Sequence, residues 1–291
     1  MVTFASTVRG GKPSVAVMRA DRALDAGFDA LILDDPLYHS SWEALRTHLP
    51  KGTIRALRLL LPYPGSIRPG EPAPLRSWHE ELDRALLARL ARETLAASDA
   101  VDARHVIAPL AFLASSSPSL LPEERRRARD AYLRLIDATL SAADRYGITL
   151  CLAPSARSNE FPARDELERC ASEFRGAPLA LWLDTVRLPA NDAAKPPENA
   201  TPEPASASAP PRVELAVFGI AIRDRLDGAD GLLPGTGSVD WVAIDPTIRS
   251  APLWCLDLDP ASPDEHWSRA RAFFEEYSER DPSAPRDILA P

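Results

Sequence analysis

Cysteine is scarce in this sequence, which contains only three in 291 residues. Cys151, Cys170 and Cys255 show no metal-finger spacing, and two of them lie inside apolar runs that are typical of strands. We therefore expect buried, reduced thiols and no disulfide framework.

Long hydrophobic runs are also missing, because none approaches the roughly 20 residues needed to span a bilayer. The first residues, MVTFASTVRGGKP, lack the apolar block and the small-residue cleavage site of a signal peptide. We expect a cytoplasmic protein with no membrane partner.

Lysine is rare as well, since only Lys12, Lys51 and Lys195 occur and arginine supplies the other basic residues. The 34 basic residues are outnumbered by 42 acidic ones, and the net charge is −8. The basic residues are scattered and form no stripe for a phosphate backbone, so nucleic acid is not an expected partner. The sequence also lacks a P-loop, a G-x-G-x-x-G after a strand and a G-x-S-x-G motif.

What the chain does contain is an alternation of short apolar strands with longer helical patterns, which predicts a parallel sheet built by βαβ crossovers. The predicted strands are 2–7, 28–33, 54–61, 105–110, 148–153, 179–184, 215–222 and 253–258. The predicted helices are 14–26, 41–48, 78–98, 122–146, 163–174, 241–249 and 263–277. Because α/β barrels of about 250 residues usually form one unit, we expect a single domain over 1–291.

One connection breaks this alternation. Residues 189–212 read PANDAAKPPENATPEPASASAPPR, and their seven prolines are incompatible with a packed helix. We interpret this low-complexity insertion as a solvated loop. A lid remains the alternative, because the segment starts at the C-terminal end of a strand, where barrel active sites are built.

The segment 220–241, IAIRDRLDGADGLLPGTGSVDW, carries the most informative motif. It resembles the H-x-K-D, spacer, G-x-G-x-[IV]-D-W signature of the xylose isomerase-like family of TIM barrels, which includes sugar isomerases, ketose epimerases and type IV apurinic endonucleases. Arg223 and Asp224 match the K-D pair, and 235–241 match the second half. Ala221 stands where the family has a metal-binding histidine.

Weaker matches follow in the family's order along most of the chain: GFDALIL at 27–33, a helix and strand at 123–154, ALWLDT at 180–185 and LWCLDLDP at 253–260. Each is unspecific alone, but their shared order and spacing favour one fold. The resemblance implies a single (β/α)8 TIM barrel in which the Pro/Ala-rich loop replaces the sixth helix.

The resemblance also implies a divalent cation, held by Glu, Asp, His and Glu from strands five to eight, that polarises the substrate while carboxylates move protons. Those four positions hold Ala153, Asp184, Ala221 and Asp257. The second-strand glutamate becomes Ile32, and the histidine three residues beyond Asp184 becomes Arg187. Methyl groups donate no electron pair, and two carboxylates are too few for the usual Mn, Mg or Co site. We expect no metal and no other cofactor.

The replacements bring arginine next to the surviving acids. Because strand side chains alternate, Arg223 faces the barrel interior if Ala221 does, one layer nearer the mouth. Arg187 and Arg223 would then pair with Asp184 or Asp257. Two interpretations stay open: a cationic pocket for an anionic or hydroxylated metabolite, and an ion-pair plug that stabilises a former active site.

Other candidates are less specific. Asp34 and Asp35 follow the second strand at the same rim, but paired acids after a strand are also ordinary helix-start residues. His79 and His105 are isolated, and lone histidines are more often core or surface groups than catalytic bases.

Two functional hypotheses follow. The first is a divergent sugar or polyol isomerase/epimerase-like protein that binds a small polar or anionic metabolite at the C-terminal rim. Its catalytic candidates are Asp184 and Asp257, and its substrate-binding candidates are Arg187, Arg223 and Asp224. The second is a non-catalytic barrel retained as a binding or assembly module, because fold alone does not settle function. The sequence leaves the substrate and the oligomeric state open.

Overall fold

The computed structural model describes residues 2–9, 12–34, 39–58, 81–108, 112–113, 121–154, 160–188, 214–226, 229–258 and 262–280. Eight parallel strands in these residues close into a barrel. They are β1 (Thr3–Arg9), β2 (Ala30–Asp34), β3 (Ile54–Arg58), β4 (His105–Ala108), β5 (Thr149–Leu152), β6 (Leu179–Asp184), β7 (Val217–Ile222) and β8 (Leu253–Leu256). Each strand pairs with its neighbours in chain order, and β1 pairs with β8 to complete the ring. The predicted (β/α)8 fold is confirmed.

Helices alternate with the strands as predicted. The described helices are α1 (Pro13–Asp25), α2 (His39–His48), α3 (Glu81–Ala100), α4 (Pro122–Tyr146), α5 (Arg164–Ala171), α6 (Trp241–Ser250) and α7 (Asp264–Glu279). α4 begins at a proline, and Gly147 ends it in the left-handed conformation at φ +62° that glycine adopts without strain. None of these helices combines the length with the apolar character that crossing a bilayer requires.

The insertion at 189–212 falls outside the described residues. Its interpretation as a loop in place of a sixth helix therefore stays a prediction, and so does the lid. β6 is followed by a single 3-10 turn, Thr185–Arg187, before the described chain stops at Leu188.

Alternating side chains fill the barrel interior. The inward-facing cluster consists of Ala5, Ala30, Ile32, Ala56, Ile107, Cys151, Ala180, Trp182, Ala221, Leu253 and Cys255. Small residues on β1, β2 and β3 leave room for the one large ring, Trp182. Gly219 on the neighbouring strand is needed for the same reason, because a Cβ there would lie 2.8 Å from the Trp182 ring. The opposite faces of the strands pack against the helices in a larger apolar core.

Aromatic rings pack at the N-terminal end of the barrel. His105, the first residue of β4, stacks on Phe218 with ring centroids 3.8 Å apart and 13° between the planes. Burial lowers the pKa of His105. This places the histidine at the end of the barrel opposite the C-terminal ends of the strands, where its ring packs against Phe218.

Candidate functional site

Among the charged residues at the C-terminal ends of the barrel strands, five have side chains that the structure describes. Asp34, Arg58 and Asp184 end β2, β3 and β6, while Arg223 and Asp257 directly follow β7 and β8. Each lies two positions beyond an inward-facing residue of its own strand, so alternation directs all five toward the barrel axis. We call these five residues the mouth network.

Arg58 joins two acids across the mouth. Its Nη1 lies 3.0 Å from Asp34 Oδ2, and both Nη atoms lie 3.4 Å from Asp257 Oδ2. β1 and β2 separate β3 from β8 around the ring, so the Arg58 contact with Asp257 spans the interior. Only 12% of the Arg58 side chain is exposed, and 6% and 4% of the two acid side chains.

This guanidinium stays charged despite its burial. Burial acts to lower the pKa of Arg58, but the carboxylates of Asp257 and Asp34 outweigh it, and the pKa is raised above its ordinary value. Arg223 lies near enough to act in the opposite direction by charge repulsion. Arg58 therefore provides a permanent positive charge at the centre of the mouth.

The second pair of the network is Arg223 with Asp184. Arg223 Nε donates to Asp184 Oδ1 at 3.2 Å, and Nη2 donates to Oδ2 at 2.6 Å. Thr185 holds the backbone of Arg223, donating its hydroxyl to the carbonyl at 2.6 Å and accepting the N–H at 3.1 Å. Bidentate geometry of this kind fixes both side chains. The structure thus pairs Arg223 with Asp184, whereas Asp257 contacts Arg58.

Arg187 is the more open of the arginines predicted at the rim. Its side chain is 42% exposed, and its Nε lies 3.7 Å from Asp184 Oδ2, an oxygen that Arg223 already binds more closely. A contact at this distance and exposure holds the side chain weakly. Arg187 is therefore available to an anionic group at the mouth.

Asp224, a predicted substrate-binding residue, lies elsewhere. It follows Arg223 directly, so its side chain leaves the strand on the other side, and it is fully buried. Its carboxylate accepts five hydrogen bonds of 2.8–3.2 Å, from the backbone N–H of Arg225, Gly235, Gly237 and Val239 and from Nε1 of Trp241. We call this arrangement the Asp224 hub. Donors of the chain itself surround this carboxylate, and the substrate-binding role of Asp224 stays a prediction.

The glycine of the motif is required by the hub. A Cβ on Gly237 would lie 2.3 Å from Asp224 Oδ1 and 2.3 Å from the Arg225 carbonyl oxygen. Asp240 then caps α6 by accepting the N–H of Ala243 at 3.0 Å. The part of the family motif that this chain keeps is therefore the part that builds the loop and starts the helix.

The residues at the mouth do not fit the divalent cation that the resemblance implies. Ala153 and Ala221 offer no donor atom, and the carboxylates of Asp184 and Asp257 bind guanidinium groups. No group of three or more His, Cys, Asp or Glu side chains within the described part of the chain is arranged to hold a metal ion. A second cation at the same carboxylates would also be repelled by the arginines.

Arg58 is the residue that the sequence reasoning missed. Its strand was predicted at 54–61, and alternation from Ile54 through Ala56 would have directed Arg58 inward. Nothing in the sequence indicated a partner for Arg58, because the family motifs mark β2 and β5 to β8 but not β3. Asp34 was assigned to the rim, and the structure places it beside Arg58, whereas Asp35 and His79 lie outside the described residues.

The cysteines take no part in this chemistry. All three are free and buried. Cys255 lies one layer below Asp257, with its Sγ 3.3 Å from Thr7 Oγ1. Burial raises the pKa of Cys255 to about 12, so its thiol is protonated and unreactive at neutral pH.

Comparison with known proteins finds similarity in structure alone. No family model and no curated protein sequence matches the chain. An L-ribulose 3-epimerase structure superposes with a TM-score of 0.64 at 15% identity, covering 96% of this chain and 95% of that one. A 3-keto-D-glucoside 4-epimerase, YcjR from E. coli, gives 0.63 at 15% identity over 94% and 99%. The IolI protein, solved with a bound zinc atom, gives 0.61 at 13% over 95% and 98%. The chain therefore has the (β/α)8 TIM-barrel fold that its resemblance to the xylose isomerase-like barrels predicted, and several of its structural neighbours are sugar epimerases.

Proposed function

We propose that this barrel binds a small polyhydroxylated metabolite, neutral or anionic, at its C-terminal end, using fixed guanidinium and carboxylate groups in place of a divalent cation. The mouth network is the observation that carries this proposal. Five strands deliver three acids and two arginines to one place, and their mutual contacts hold the side chains in position.

Preorganisation is the physical reason. A side chain already held by an ion pair loses little further freedom when a ligand binds, so more of the interaction energy appears as affinity. Carboxylates accept hydrogen bonds from sugar hydroxyls, and guanidinium groups donate to sugar oxygens. Arg187, being half exposed, adds a site for a phosphate or carboxylate substituent.

The resemblance and the structural neighbours favour a keto sugar as the metabolite. In the epimerisation of a keto sugar, one carboxylate removes a proton from the carbon beside the ketone, and the electron pair moves onto the carbonyl oxygen. A guanidinium stabilises the resulting oxyanion, and a second carboxylate returns a proton to the opposite face. Asp184 and Asp257 are the catalytic carboxylates we propose, with Arg223 or Arg58 as the stabilising cation.

The second candidate function is a non-catalytic binding or assembly module. It is favoured by the contacts of Asp34, Asp184 and Asp257, each of which meets a guanidinium within the mouth itself. Ion pairs formed in this way account for the burial of three acids without any ligand. Binding and proton transfer must therefore be measured separately.

The test is calorimetric titration of EDTA-treated protein with L-ribulose, D-tagatose and D-allulose and with ketose phosphates, repeated in the presence of Mn²⁺, Co²⁺ or Zn²⁺. We expect binding of at least one sugar with an affinity that metal leaves unchanged. Arg223→Ala should weaken it by about tenfold, since a charge-assisted hydrogen bond contributes about 1.5 kcal/mol or more. The control is Arg104→Ala, an exposed arginine paired with Asp102 beside the N-terminal end of β4.

Deuterium exchange separates the two candidates. If Asp184 and Asp257 move protons, the bound ketose should take up deuterium from D2O at the carbon beside the carbonyl, and Asp257→Asn should abolish uptake. Binding without exchange would favour the non-catalytic module. Binding that requires metal, or no binding by any sugar, would overturn the proposed function.

A further inference from the structure

A groove of about 320 Å³ lies on the outside of the barrel between α4 and α5. Four arginines line it: Arg125, Arg126 and Arg129 from α4 and Arg169 from α5. Phe161, buried to 2% exposure and packed edge-on against Tyr132, provides an apolar wall. We call this feature the α4–α5 groove. It is separate from the mouth network and shares no residue with it.

Helical spacing brings the three α4 arginines together. Arg125 and Arg129 are four residues apart, and Arg126 and Arg129 are three apart, so all three lie on one side of the helix. A like-charged group of this kind opposes helix formation unless acids or a ligand compensate it.

Acids from α5 and the turn that follows it fix two of these arginines. Arg125 Nη1 lies 2.5 Å from Glu166 Oε1, while the other oxygen of Glu166 accepts the N–H of Ala163 at 2.8 Å. Arg129 Nη2 lies 3.0 Å from Glu173 Oε1. The pairs hold the guanidinium groups at the wall of the groove, which reduces the entropy that an incoming anion must overcome.

Arg126 is not held in this way. Among the described residues it forms no ion pair with a carboxylate, and it is exposed on the groove. The lining side chains carry four positive and two negative charges, and Asp165 pairs with Arg169 from outside the lining. A net positive charge therefore remains in a concave site of a size suited to a small molecule.

We infer that the α4–α5 groove binds a small oxyanion, through a phosphoryl or carboxylate group that Arg126 contacts directly and that Arg129 and Arg169 help to neutralise. Guanidinium groups bind both kinds of oxyanion in a bidentate manner. The inference does not depend on what the mouth binds, because no residue is shared.

The test is titration of the ¹⁵N-labelled full chain with methyl phosphate and with succinate, at constant ionic strength set by sodium chloride. We expect saturable shifts of backbone amides in 125–129 and 164–173, with little change at β1. Arg126→Ala should weaken binding by about tenfold, the factor for one charge-assisted hydrogen bond. Arg127→Ala is the matched control, because Arg127 is an exposed neighbour on the same helix that pairs with Glu123.

The two probes also identify the source of the oxyanion. Tighter binding of methyl phosphate assigns a phosphoryl ligand, and tighter binding of succinate assigns a carboxylate ligand. Shifts that follow ionic strength alone, or that Arg126→Ala and Arg127→Ala reduce equally, would overturn the inference. Arg126 forms no ion pair among the described residues and is exposed, so Arg126→Ala should fold normally, and its amide spectrum without ligand checks this.

Discussion

Arg223 and Asp224 are neighbours in the chain, yet they belong to two regions of the molecule with different chemistry, the mouth network and the Asp224 hub. Asp224 matches the family motif and lies fully buried in the hub, where five donors surround it. Arg223 lies beyond Ala221, which replaces the motif's histidine, and pairs with Asp184 at the mouth. The chain matches the motif at the residues that build the loop and differs from it at Ala221, where the motif has histidine.

The hub and the mouth network differ in how strictly the structure constrains their residues. At the hub, four backbone N–H groups share one buried carboxylate as their acceptor, so its loss would leave buried donors unsatisfied. At the mouth, the negative charge of the buried carboxylates must be balanced, and a cation, a guanidinium group or a ligand can each do so. Substitution is therefore easier at the mouth, provided the charges still match.

The largest effect is expected at the hub. Asp224→Ala removes the acceptor of five buried donors, and we expect a loss of about 4 to 5 kcal/mol in the free energy of unfolding. Asp224→Asn keeps one acceptor oxygen but turns an amide toward donors, so its loss should be intermediate. Urea denaturation measures both. A loss below about 1 kcal/mol for Asp224→Ala would show that the motif's aspartate is not the support of the loop.

The next effect concerns Arg58. Arg58→Met leaves Asp34 and Asp257 without this guanidinium, and breaking a buried pair costs about 3 to 5 kcal/mol. We expect about 3 kcal/mol, because the Arg58 side chain is 12% exposed. Adding Asp257→Asn should recover part of that loss, since one uncompensated charge disappears. If the double variant is as unstable as the sum of its single variants, the two residues do not compensate one another.

The fold could be predicted from sequence because it rests on patterns that repeat eight times, and no single strand decided it. Helix α4 was predicted to the residue, since Pro122 and Gly147 mark its ends. Within the mouth network, the family motif marked Asp184, Arg223 and Asp257 and the end of the second strand marked Asp34, whereas nothing marked Arg58. Strand alternation shows which side a residue faces, whereas a contact across the barrel between β3 and β8 depends on tertiary closure.

Asp224 shows a structural role that the motif did not indicate. Its motif position suggested ligand binding, yet alternation after Arg223 turns it away from the mouth. The same period-two rule that placed Arg223 inside would have placed Asp224 outside. Sequence alone did not show the five donors that meet it, because three of them come from residues 11 to 15 positions later, in the loop that precedes α6.

A double-mutant cycle distinguishes the two halves of the mouth. Arg223→Ala should cost about 1 to 2 kcal/mol, less than Arg58→Met, because one acid rather than two loses its guanidinium and Arg187 still lies 3.7 Å from that acid. Combined with Asp184→Ala, the losses should fall short of their sum by about 1 kcal/mol or more. Combined with Asp257→Ala, the shortfall should be smaller, because Asp257 contacts Arg58, on which Arg223 acts only by charge repulsion. The reverse pattern would mean that Arg223 neutralises Asp257 and that the network is connected differently.

The smallest effect on stability is expected for Arg187. Its side chain is 42% exposed and its Nε lies 3.7 Å from Asp184, and exposed pairs contribute about 1 kcal/mol or less. Arg187→Ala should therefore change the free energy of unfolding by no more than about 0.5 kcal/mol. Ligand binding should respond differently: the affinity for a ketose phosphate should fall by about tenfold, whereas that for the uncharged ketose should stay within about twofold. Arg187→Lys, which keeps the charge, should restore most of the loss. A variant that weakens both ligands equally would place Arg187 in the support of the mouth network, and one that weakens neither would remove it from the proposed binding site.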